Sequence, residues 1–425
     1  MTRGFRSRTL HGGHEPAAEG GSYAPPIHQT TSYRLGSADR AADLYALEAD
    51  GDVYSRISNP TVRALEQRLA SVSGGVGAVA TNAGMAAIDA LTTVLAEAGD
   101  NVVTAGDLYG GTTTYFAHTA TRRGVEIRTV DTLAYEDYAD RIDGDTAFVH
   151  VETMANPSLV TPDFDRLAEI AHDHATPLVV DNTFASPALC RPVEHGADAV
   201  WESTTKWIHG SGTTVGGVVV DGGAFPWDHP DADYPELAGE NPAFGVDFSE
   251  RFGEKALTHA LRQRGLRPLG AQQTPFDAWA TLQGLETLDL RMDRHCENAR
   301  IVAEHLVDHP EVAWVTYPGL ADHPTHDNAA RYLDDFGGML AFGLEGGFSA
   351  GKQFCEAVDL TGFVANVGDA RTLVIHPAST THAQLSEAEQ RAAGVSPDLL
   401  RLSVGLEEPE DIVDDIDAAI ERVTA

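Results

Sequence analysis

Through the middle of this 425-residue chain, the spacing of hydrophobic and polar positions alternates between that of β-strands and that of α-helices. Between residues 76 and 220, short apolar runs typical of β-strands end in polar turns, and most turns lead into apolar residues at helical spacing. Strands are predicted at 76–80, 101–104, 125–130, 146–151, 178–180, 199–201 and 213–220. Alternating β and α units of this kind predict an α/β fold with a mostly parallel central sheet and helices on both faces.

The same pattern divides the chain into three parts. Residues 1–60 lack sustained periodicity and are predicted to form an N-terminal arm that packs on another surface. Residues 61–275 carry the central sheet, and within them 221–274 is an insertion rich in Gly, Pro and Asp and then in Arg. A long irregular insertion is usually functional or disordered. Residues 276–425 begin with a helix predicted over 276–308 and are expected to form a smaller C-terminal α/β domain.

Two neighbouring strands of the predicted sheet end close to reactive side chains. The run 178–180 ends at Asp181, and the run 199–201 is followed a few residues later by Lys206. Ligands of open α/β sheets bind at the carboxyl ends of the strands, so both side chains are expected to face one crevice. A carboxylate and an amine in one crevice suit pyridoxal phosphate (PLP), because the lysine forms a Schiff base with it and the acid keeps its ring nitrogen protonated.

Each of these residues also has a simpler explanation. Lysine is usually a solvated surface residue, although this chain has only Lys206, Lys255 and Lys352. Asp181 is also suited to capping the turn that follows it. An S-x-x-K motif starts at Ser203 and matches penicillin-recognising acyl enzymes, but the companion S-D-N and K-T-G segments are absent from the sequence. A hydrolase without a cofactor and a non-catalytic α/β binding protein therefore stand as alternatives.

A strand-to-helix turn and the residues beside Lys206 together predict an anion site. Gly84 and Met85 lie at a helix N-terminus directly after a strand, where free N–H groups and the helix dipole attract a phosphate. Ser203 and Thr205 would add hydroxyl donors to the same phosphate. The alternative is that Gly84 only closes a tight turn.

Tyr109 and Arg401 are two further candidates. Tyr109 follows a strand end, so its ring is expected at the crevice and is suited to stacking on a flat cofactor, although a buried core tyrosine is the commoner outcome. Arg401 stands in an otherwise apolar strand pattern. Arginine binds carboxylates in a bidentate manner and is costly to bury alone, so Arg401 is either a substrate clamp or part of a structural ion pair.

Charge and composition narrow the class of protein. The sequence holds 64 acidic and 29 basic residues, a net charge of −35, which argues against nucleic acid and anionic membranes as partners. The acidic residues are spread along the chain, so we expect a solvated acidic surface suited to a halophilic, high-salt cytoplasm. Widely spaced cysteines, no signal-peptide h-region and no apolar run of membrane-span length predict a soluble cytoplasmic protein. The histidine pairs lack a complete ligand set, so no metal site is expected.

Eight segments taken together resemble one known family, the PLP-dependent enzymes of cysteine and methionine metabolism. They follow the family's order and spacing, within a resemblance that runs from about Thr9 to the C-terminus: YSRISNPT, TNAGMAAI, DLYGGT, ETMANP, VVDNTFASP, ESTTKW, NVGDARTLVIHPASTTH and RLSVGLE. The resemblance implies the PLP-dependent transferase fold type I, an arm that reaches the neighbouring subunit, and a homotetramer built as a dimer of dimers. Within the family, the sulfhydrylases that act on O-acetylhomoserine are the most similar branch.

The resemblance also implies a role for each matching residue. Lys206 corresponds to the Schiff-base lysine, Asp181 to the partner of the pyridine nitrogen, and Tyr109 to the ring that stacks on the cofactor. The other implied positions are Gly84, Met85, Ser203 and Thr205 at the cofactor phosphate, Asn156 near its hydroxyl group, Tyr54 and Arg56 at the phosphate of the neighbouring subunit's cofactor, and Arg401, Asn366 and Tyr54 at the substrate.

These roles imply a γ-replacement reaction. Lys206 would remove the Cα proton of O-acetyl-L-homoserine, acetate would leave Cγ, and sulfide or methanethiol would replace it to give L-homocysteine or methionine. The insertion 221–274 is expected to cover the active site and to limit loss to water. Gly111 stands where methionine-degrading lyases of the family have cysteine, which favours a sulfhydrylase. Cystathionine γ-synthase and a cystathionine or methionine γ-lyase are the alternatives.

Overall fold

The computed structural model describes residues 3–17, 20–241, 243–384, 386–392 and 394–424. Residues 1, 2, 18 and 19 of the predicted arm and residue 242 of the predicted insertion lie outside these ranges.

The N-terminal arm is less irregular than the sequence predicts. It contains two short helices, α1 (Phe5–His11) and α2 (Ala38–Tyr45). The next helix is α3 (Pro60–Ser73). Its start is well defined because the Asn59 side chain accepts a hydrogen bond from the Thr61 N–H and because proline suits the first turn of a helix.

A seven-stranded sheet forms the centre of the larger domain. Its strands are β1 (Gly77–Thr81), β2 (Asn101–Ala105), β3 (Glu126–Val130), β4 (Thr146–Glu152), β5 (Leu178–Asp181), β6 (Ala199–Glu202) and β7 (Gly217–Asp221). They lie in the order β1-β7-β6-β5-β4-β2-β3. Strands β2 to β6 pair in parallel, whereas β7 runs antiparallel to both β1 and β6. The predicted mostly parallel sheet is confirmed.

Both faces of this sheet are covered. Every residue of β2, β4, β5, β6 and β7 is buried, and successive side chains of a strand point to opposite faces. The covering helices are α4 (Gly84–Leu95), α5 (Gly110–Thr114), α6 (Tyr135–Arg141), α7 (Phe164–Asp173), α8 (Ser186–Leu189), α9 (Phe248–Phe252), α10 (Ala256–Ala260) and α11 (Pro275–Glu286). Two π-helical turns, 115–120 and 261–266, continue α5 and α10.

A second, smaller sheet forms the C-terminal part of the chain. Its strands are β8 (Val312–Thr316), β9 (Met339–Leu344), β10 (Gly362–Phe363), β11 (Leu373–Ile375) and β12 (Leu399–Ser403), in the order β10-β11-β12-β9-β8. The helices of this part are α12 (Leu288–Val307), α13 (His326–Tyr332), α14 (Gly347–Ala357), α15 (Glu387–Ala392) and α16 (Pro409–Thr424). Helix α12 joins the two parts, because Met292 and Cys296 pack in the large core and Ala299 and Val302 in the small one.

Three predicted elements differ from the structure. The helix expected over 276–308 is two helices, α11 and α12, separated at Thr287, whose N–H bonds to the Gly284 carbonyl and ends α11. Strand β7 begins four residues later than expected, because the Gly216 N–H donates to the Thr205 side chain instead of to a neighbouring strand. The second half of the insertion is helical, since α9 and α10 bury apolar side chains against the large core.

No helix in the described ranges is long and apolar enough to cross a bilayer. Among the same residues, no group of three or more His, Cys, Asp or Glu side chains is arranged to hold a metal ion.

Candidate active site

Three adjacent parallel strands end in buried carboxyl groups at one edge of the large sheet. Glu152 ends β4, Asp181 ends β5 and Glu202 ends β6, and each is at most 5% exposed. Asp181 lies directly opposite Glu152 in the strand register. Burial raises the pKa of Asp181 to about 7 and that of Glu202 to about 8, and burial together with the Asp181 charge raises the pKa of Glu152. This edge of the sheet is therefore strongly biased towards binding a cation.

Lys206 follows β6 in a turn and reaches the same edge. Its Nζ donates a hydrogen bond of 2.5 Å to Oδ1 of Asn366, which belongs to the C-terminal domain. Burial and the positive charge of Arg401 lower the pKa of Lys206 to about 8. About a tenth of the amine is therefore unprotonated at pH 7, far more than for an ordinary lysine, which suits both a nucleophile and a base.

Arg401 lies on β12, and its side chain is directed towards the crevice between the two domains. Its Nη1 donates to Oδ1 of Asn156 at 3.2 Å, and burial lowers its pKa to about 10. No carboxylate among the described residues forms an ion pair with it. A buried guanidinium without an anionic partner is costly, so this position favours a ligand that brings a carboxylate.

The predicted anion site is assembled from two segments that are distant in sequence. Gly84 begins α4, and a Cβ added to it would lie 2.8 Å from Cβ of Ser203, so only glycine allows this approach. The first turn of α4 leaves backbone N–H groups, including those of Gly84 and Met85, without an intrahelical acceptor. Thr205 Oγ1 exchanges hydrogen bonds with the backbone of Gly216, which holds the turn before Lys206 against β7. These groups together form a suitable cradle for a phosphate.

Tyr109 is not a core residue. Its side chain is 48% exposed. Its backbone N–H donates to Oε1 of Glu152 at 2.6 Å, which fixes the start of the loop after β2. The adjoining Asn156 donates its N–H to Oε2 of the same carboxylate at 3.2 Å. The ring of Tyr109 is therefore free to contact a ligand although its backbone is anchored.

Among the described residues, no side-chain hydrogen bond links Tyr54 or Arg56 to Asp181, Lys206 or Arg401. The Tyr54 ring is 43% exposed, and the guanidinium of Arg56 lies 5.7 Å from its centroid. Arg56 also donates to the carbonyl of Arg267 near the end of the insertion. Their predicted role at a neighbouring subunit stays a prediction.

The two ends of the insertion 221–274 lie at opposite edges of the large sheet. Tyr234 donates its hydroxyl to the carbonyl of Ala147 near the amino end of β4, so this part lies away from the crevice. The final residues lie at the carboxyl edge, where Gln272 pairs with Thr81 and the Ala271 carbonyl accepts from Asn82. Only this final part is close to the start of α4.

Three residues at or behind the crevice were not predicted from the sequence. Glu152 links Tyr109 to Asn156, and Arg291 donates to the carbonyls of Trp207 and Ile208 directly after Lys206. His382 places its Nε2 3.7 Å from where a Cβ on Gly110 would lie. Burial and the Arg401 charge lower its pKa. Glu152 ends a buried strand as Asp181 does, and that signal was available in the sequence, whereas the contacts of Arg291 and His382 depend on tertiary structure.

With this geometry established, the class of protein is clear. The chain belongs to the Cys/Met metabolism PLP-dependent enzymes, and the family model matches residues 6–421.

The individual relatives extend over nearly the whole chain. O-acetyl-L-homoserine sulfhydrylase 1 of Thermus thermophilus is 46% identical over 420 residues, covering 98% of this chain and 99% of that protein. Homocysteine synthase of Schizosaccharomyces pombe is 45% identical over 420 residues, covering 98% of each. The crystal structure of an O-acetylhomoserine (thiol)-lyase, metY, from Campylobacter jejuni has a TM-score of 0.94 and 35% identity, and the match covers 99% of this chain and 100% of that chain. That structure contains N′-pyridoxyl-lysine-5′-monophosphate.

The residues of the crevice fit the cofactor that the family requires. Oδ1 of Asp181 accepts from the Thr183 N–H, and the Thr183 side chain also hydrogen-bonds to this carboxylate. Asp181 forms no ion pair with any Lys, Arg or His among the described residues, so a protonated ring nitrogen would supply the missing positive charge. The amine of Lys206 and the cradle at Gly84 and Ser203 suit the aldehyde and phosphate ends of the same molecule.

Proposed function

We propose that this protein catalyses PLP-dependent γ-replacement on O-acetyl-L-homoserine, with sulfide or methanethiol as the nucleophile, giving L-homocysteine or methionine and acetate. The observation that carries the proposal is the meeting of three groups at one crevice: the buried amine of Lys206, the buried carboxylate of Asp181 and the unpaired guanidinium of Arg401. The lysine amine would hold the cofactor until the substrate's amine displaces it, the carboxylate would bind the ring nitrogen of the cofactor, and the guanidinium would bind the substrate's carboxylate. The names of the full-length relatives support the choice of substrate.

Lys206 holds the cofactor and moves the protons. When bound, PLP withdraws electrons from the substrate's α-carbon and so makes the α-proton removable. Because the pKa of Lys206 is lowered to about 8, its amine accepts that proton near neutral pH. Asn366 orients the amine through the 2.5 Å hydrogen bond. Asp181 keeps the proton on the cofactor nitrogen, and the neighbouring carboxyl groups reinforce its preference for a cation.

The remaining predicted residues position the ligands. We assign the phosphate to the N–H groups of Gly84 and Met85 and to the hydroxyls of Ser203 and Thr205. The ring of Tyr109 would stack on the cofactor and Asn156 would lie near the cofactor hydroxyl, while Oδ1 of Asn156 accepts a hydrogen bond from Arg401. Arg401 binds the substrate α-carboxylate.

The site is completed by a second copy of the chain. The exposed ring of Tyr54 and the guanidinium beside it suit contact with a neighbouring subunit's cofactor phosphate and substrate. We therefore propose that the arm, residues 1–60, reaches a partner subunit in a homotetramer formed as a dimer of dimers. The end of the insertion, residues 270–274, would exclude water from the site, because that part borders the start of α4.

Gly111 favours replacement over elimination. A Cβ added at Gly111 would lie 2.4 Å from Cε1 of Tyr109, so a larger residue there requires the tyrosine ring to move. The ring position proposed for cofactor stacking is therefore matched to glycine at 111 and not to the cysteine of the methionine-degrading lyases.

A product assay tests the proposal. The protein is loaded with PLP in molar KCl and given O-acetyl-L-homoserine with sulfide, with cysteine, or with no nucleophile. We expect homocysteine and acetate in equal amounts with sulfide. Cystathionine formed from cysteine in preference would indicate a γ-synthase, and ammonia with 2-oxobutyrate formed without any nucleophile would indicate a γ-lyase; either result contradicts the proposed acceptor.

A further inference from the structure

A continuous chain of hydrogen bonds connects the two ligand-facing ends of the crevice. Oε1 of Glu152 accepts from the backbone N–H of Tyr109 at 2.6 Å. Oε2 of Glu152 accepts from the backbone N–H of Asn156 at 3.2 Å. Oδ1 of Asn156 then accepts from Nη1 of Arg401 at 3.2 Å. One carboxylate thus joins the loop that carries the stacking ring to the residue that holds the guanidinium.

Glu152 has no structural partner of opposite charge. It is 5% exposed, lies opposite Asp181 in register, and forms no ion pair with any Lys, Arg or His among the described residues. A buried carboxylate beside another carboxylate is costly. Both oxygens accept from backbone N–H donors. The fold therefore retains a carboxyl group where burial and the Asp181 charge raise its pKa, and its two N–H contacts are the only hydrogen bonds that it receives from the described residues.

We propose that Glu152 is a positioning residue that holds the Tyr109 ring and the Arg401 guanidinium in one fixed relation, so that the cofactor plane and the substrate carboxylate are aligned together. The proposal rests on the function proposed above, because it takes Tyr109 to contact the cofactor and Arg401 to bind the carboxylate. Beyond that function, the proposal assigns to Glu152 the coupling of the Tyr109 contact to the Arg401 contact. Glu152 itself touches neither ligand in this account.

The neighbouring Glu202 supplies a matched control. It ends the next strand, is 1% exposed and also lies close enough to Asp181 to affect the same charge balance. Its Oε1 accepts from Nδ2 of Asn182, and neither Tyr109 nor Asn156 contacts it. Glu152→Gln and Glu202→Gln therefore remove the same ionisable carboxyl group from adjacent strand ends, but only Glu152→Gln replaces one of two occupied acceptors with an NH2 group that cannot accept from an N–H.

The test measures ligand binding instead of turnover. L-2-aminobutyrate has an α-carboxylate but no leaving group at Cγ, and 1-propylamine is the same molecule without the carboxylate. Binding of each to the PLP-loaded protein is followed by the change in cofactor absorbance. In Glu152→Gln we expect the Kd of L-2-aminobutyrate to rise on the order of tenfold, because one hydrogen bond that positions Arg401 is lost, while that of 1-propylamine changes less than about twofold. In Glu202→Gln the ratio of the two Kd values should match the wild type.

The outcomes separate this proposal from the proposed function. A wild-type protein that binds both ligands equally would contradict the role of Arg401 and thus the proposed function. A wild type that prefers the carboxylate, with the preference unchanged in Glu152→Gln, would overturn only the role of Glu152. Equal loss of both ligands, or the same selective loss in Glu202→Gln, would also overturn it, since general damage or charge would then explain the effect. If Glu152→Gln does not fold, Glu152→Asp keeps the charge but is too short to reach both N–H groups, and the same selective loss is expected.

Discussion

At the scale of single residues, the crevice gathers ionisable groups that are buried without a partner of opposite charge. Asp181 shows the consequence for stability. Its pKa is raised by burial to about 7, whereas in an unfolded chain it is about 4. Between these two pH values the folded state binds more protons than the unfolded state, so the free energy of unfolding falls as pH rises. Above the pKa of the folded state, the full free-energy cost of burying the ionised Asp181 carboxylate lowers the stability of the protein.

We therefore predict that Asp181→Asn stabilises the cofactor-free protein at pH 8, by on the order of 2–4 kcal/mol, and changes little at pH 4. Denaturant unfolding across this pH range in concentrated KCl measures the difference. Asp414→Asn is the control, because Asp414 is exposed and far from the crevice in sequence. A pH dependence of Asp181→Asn that runs parallel to the wild type would contradict the prediction.

Candidate reactive residues could be predicted from the sequence where they come directly after a predicted strand. Asp181 and Lys206 were found because each follows a short apolar run. The bond between Lys206 and Asn366 was not predictable from local pattern, since it joins residues 160 positions apart in two domains. The pairing of Glu152 with Asp181 likewise depends on the register of β4 against β5, which the sequence does not specify to one residue.

At the scale of elements, Arg291 of α12 secures the segment that carries Lys206. Its Nη1 donates to the Trp207 carbonyl at 2.7 Å, and its Nη2 donates to the carbonyls of Ile208 at 3.1 Å and Gly284 at 2.8 Å. Burial lowers its pKa to about 10. The guanidinium thus replaces the missing backbone partners of a turn and of the end of α11.

We predict that Arg291→Met lowers the free energy of unfolding by about 2–4 kcal/mol and reduces kcat, because buried carbonyls lose their donors and the turn bearing Lys206 loosens. Arg291→Lys should recover little, since a single ammonium nitrogen cannot occupy the separate positions of the two guanidinium nitrogens that donate to these carbonyls. Arg294→Met, on an exposed side of the same helix, should change stability by less than about 0.5 kcal/mol. Thermal unfolding and steady-state kinetics measure both quantities. Equal effects of Arg291→Met and Arg294→Met would contradict this role.

The starting residues of secondary-structure elements were predicted best for strands in which every residue is buried. Strands β2, β4 and β5 begin at the expected residues because each is a largely apolar run in which every residue is buried. The break between α11 and α12 was missed, because apolar spacing continues through Thr287 and the interruption is a backbone feature. The position of Tyr234 at the far edge of the sheet depends on packing and was not visible in the sequence.

At the scale of the whole molecule, the net charge determines how stability depends on salt concentration. A net charge of −35 opposes the compact state by self-repulsion, which salt screens. We predict that Tm rises by about 5 °C or more between about 0.1 M and about 2 M KCl. Scans in sucrose of matched viscosity provide the control for a general solute effect. Maximal Tm in dilute buffer would contradict the prediction of a high-salt protein.

Assembly gives a second prediction at this scale. If Tyr54 serves the neighbouring subunit's site, Tyr54→Ala and Lys206→Ala are each nearly inactive alone but complement each other when mixed and refolded together. A hybrid dimer then has one site with both native residues, so random mixing should restore about a quarter of wild-type activity. Activity against the mixing ratio measures this. If mixing restores nothing although hybrid dimers form, Tyr54 acts within its own subunit or not at all.

The central claim is that PLP is attached to Lys206, and the small number of lysines makes this directly measurable. Borohydride reduction of the PLP-loaded protein fixes the cofactor to the amine that holds it, and peptide mass spectrometry then locates the adduct among Lys206, Lys255 and Lys352. We predict a pyridoxyl group on the peptide that contains Lys206 and none in Lys206→Arg. An adduct on Lys255 or Lys352, or no adduct on any lysine, would contradict the account.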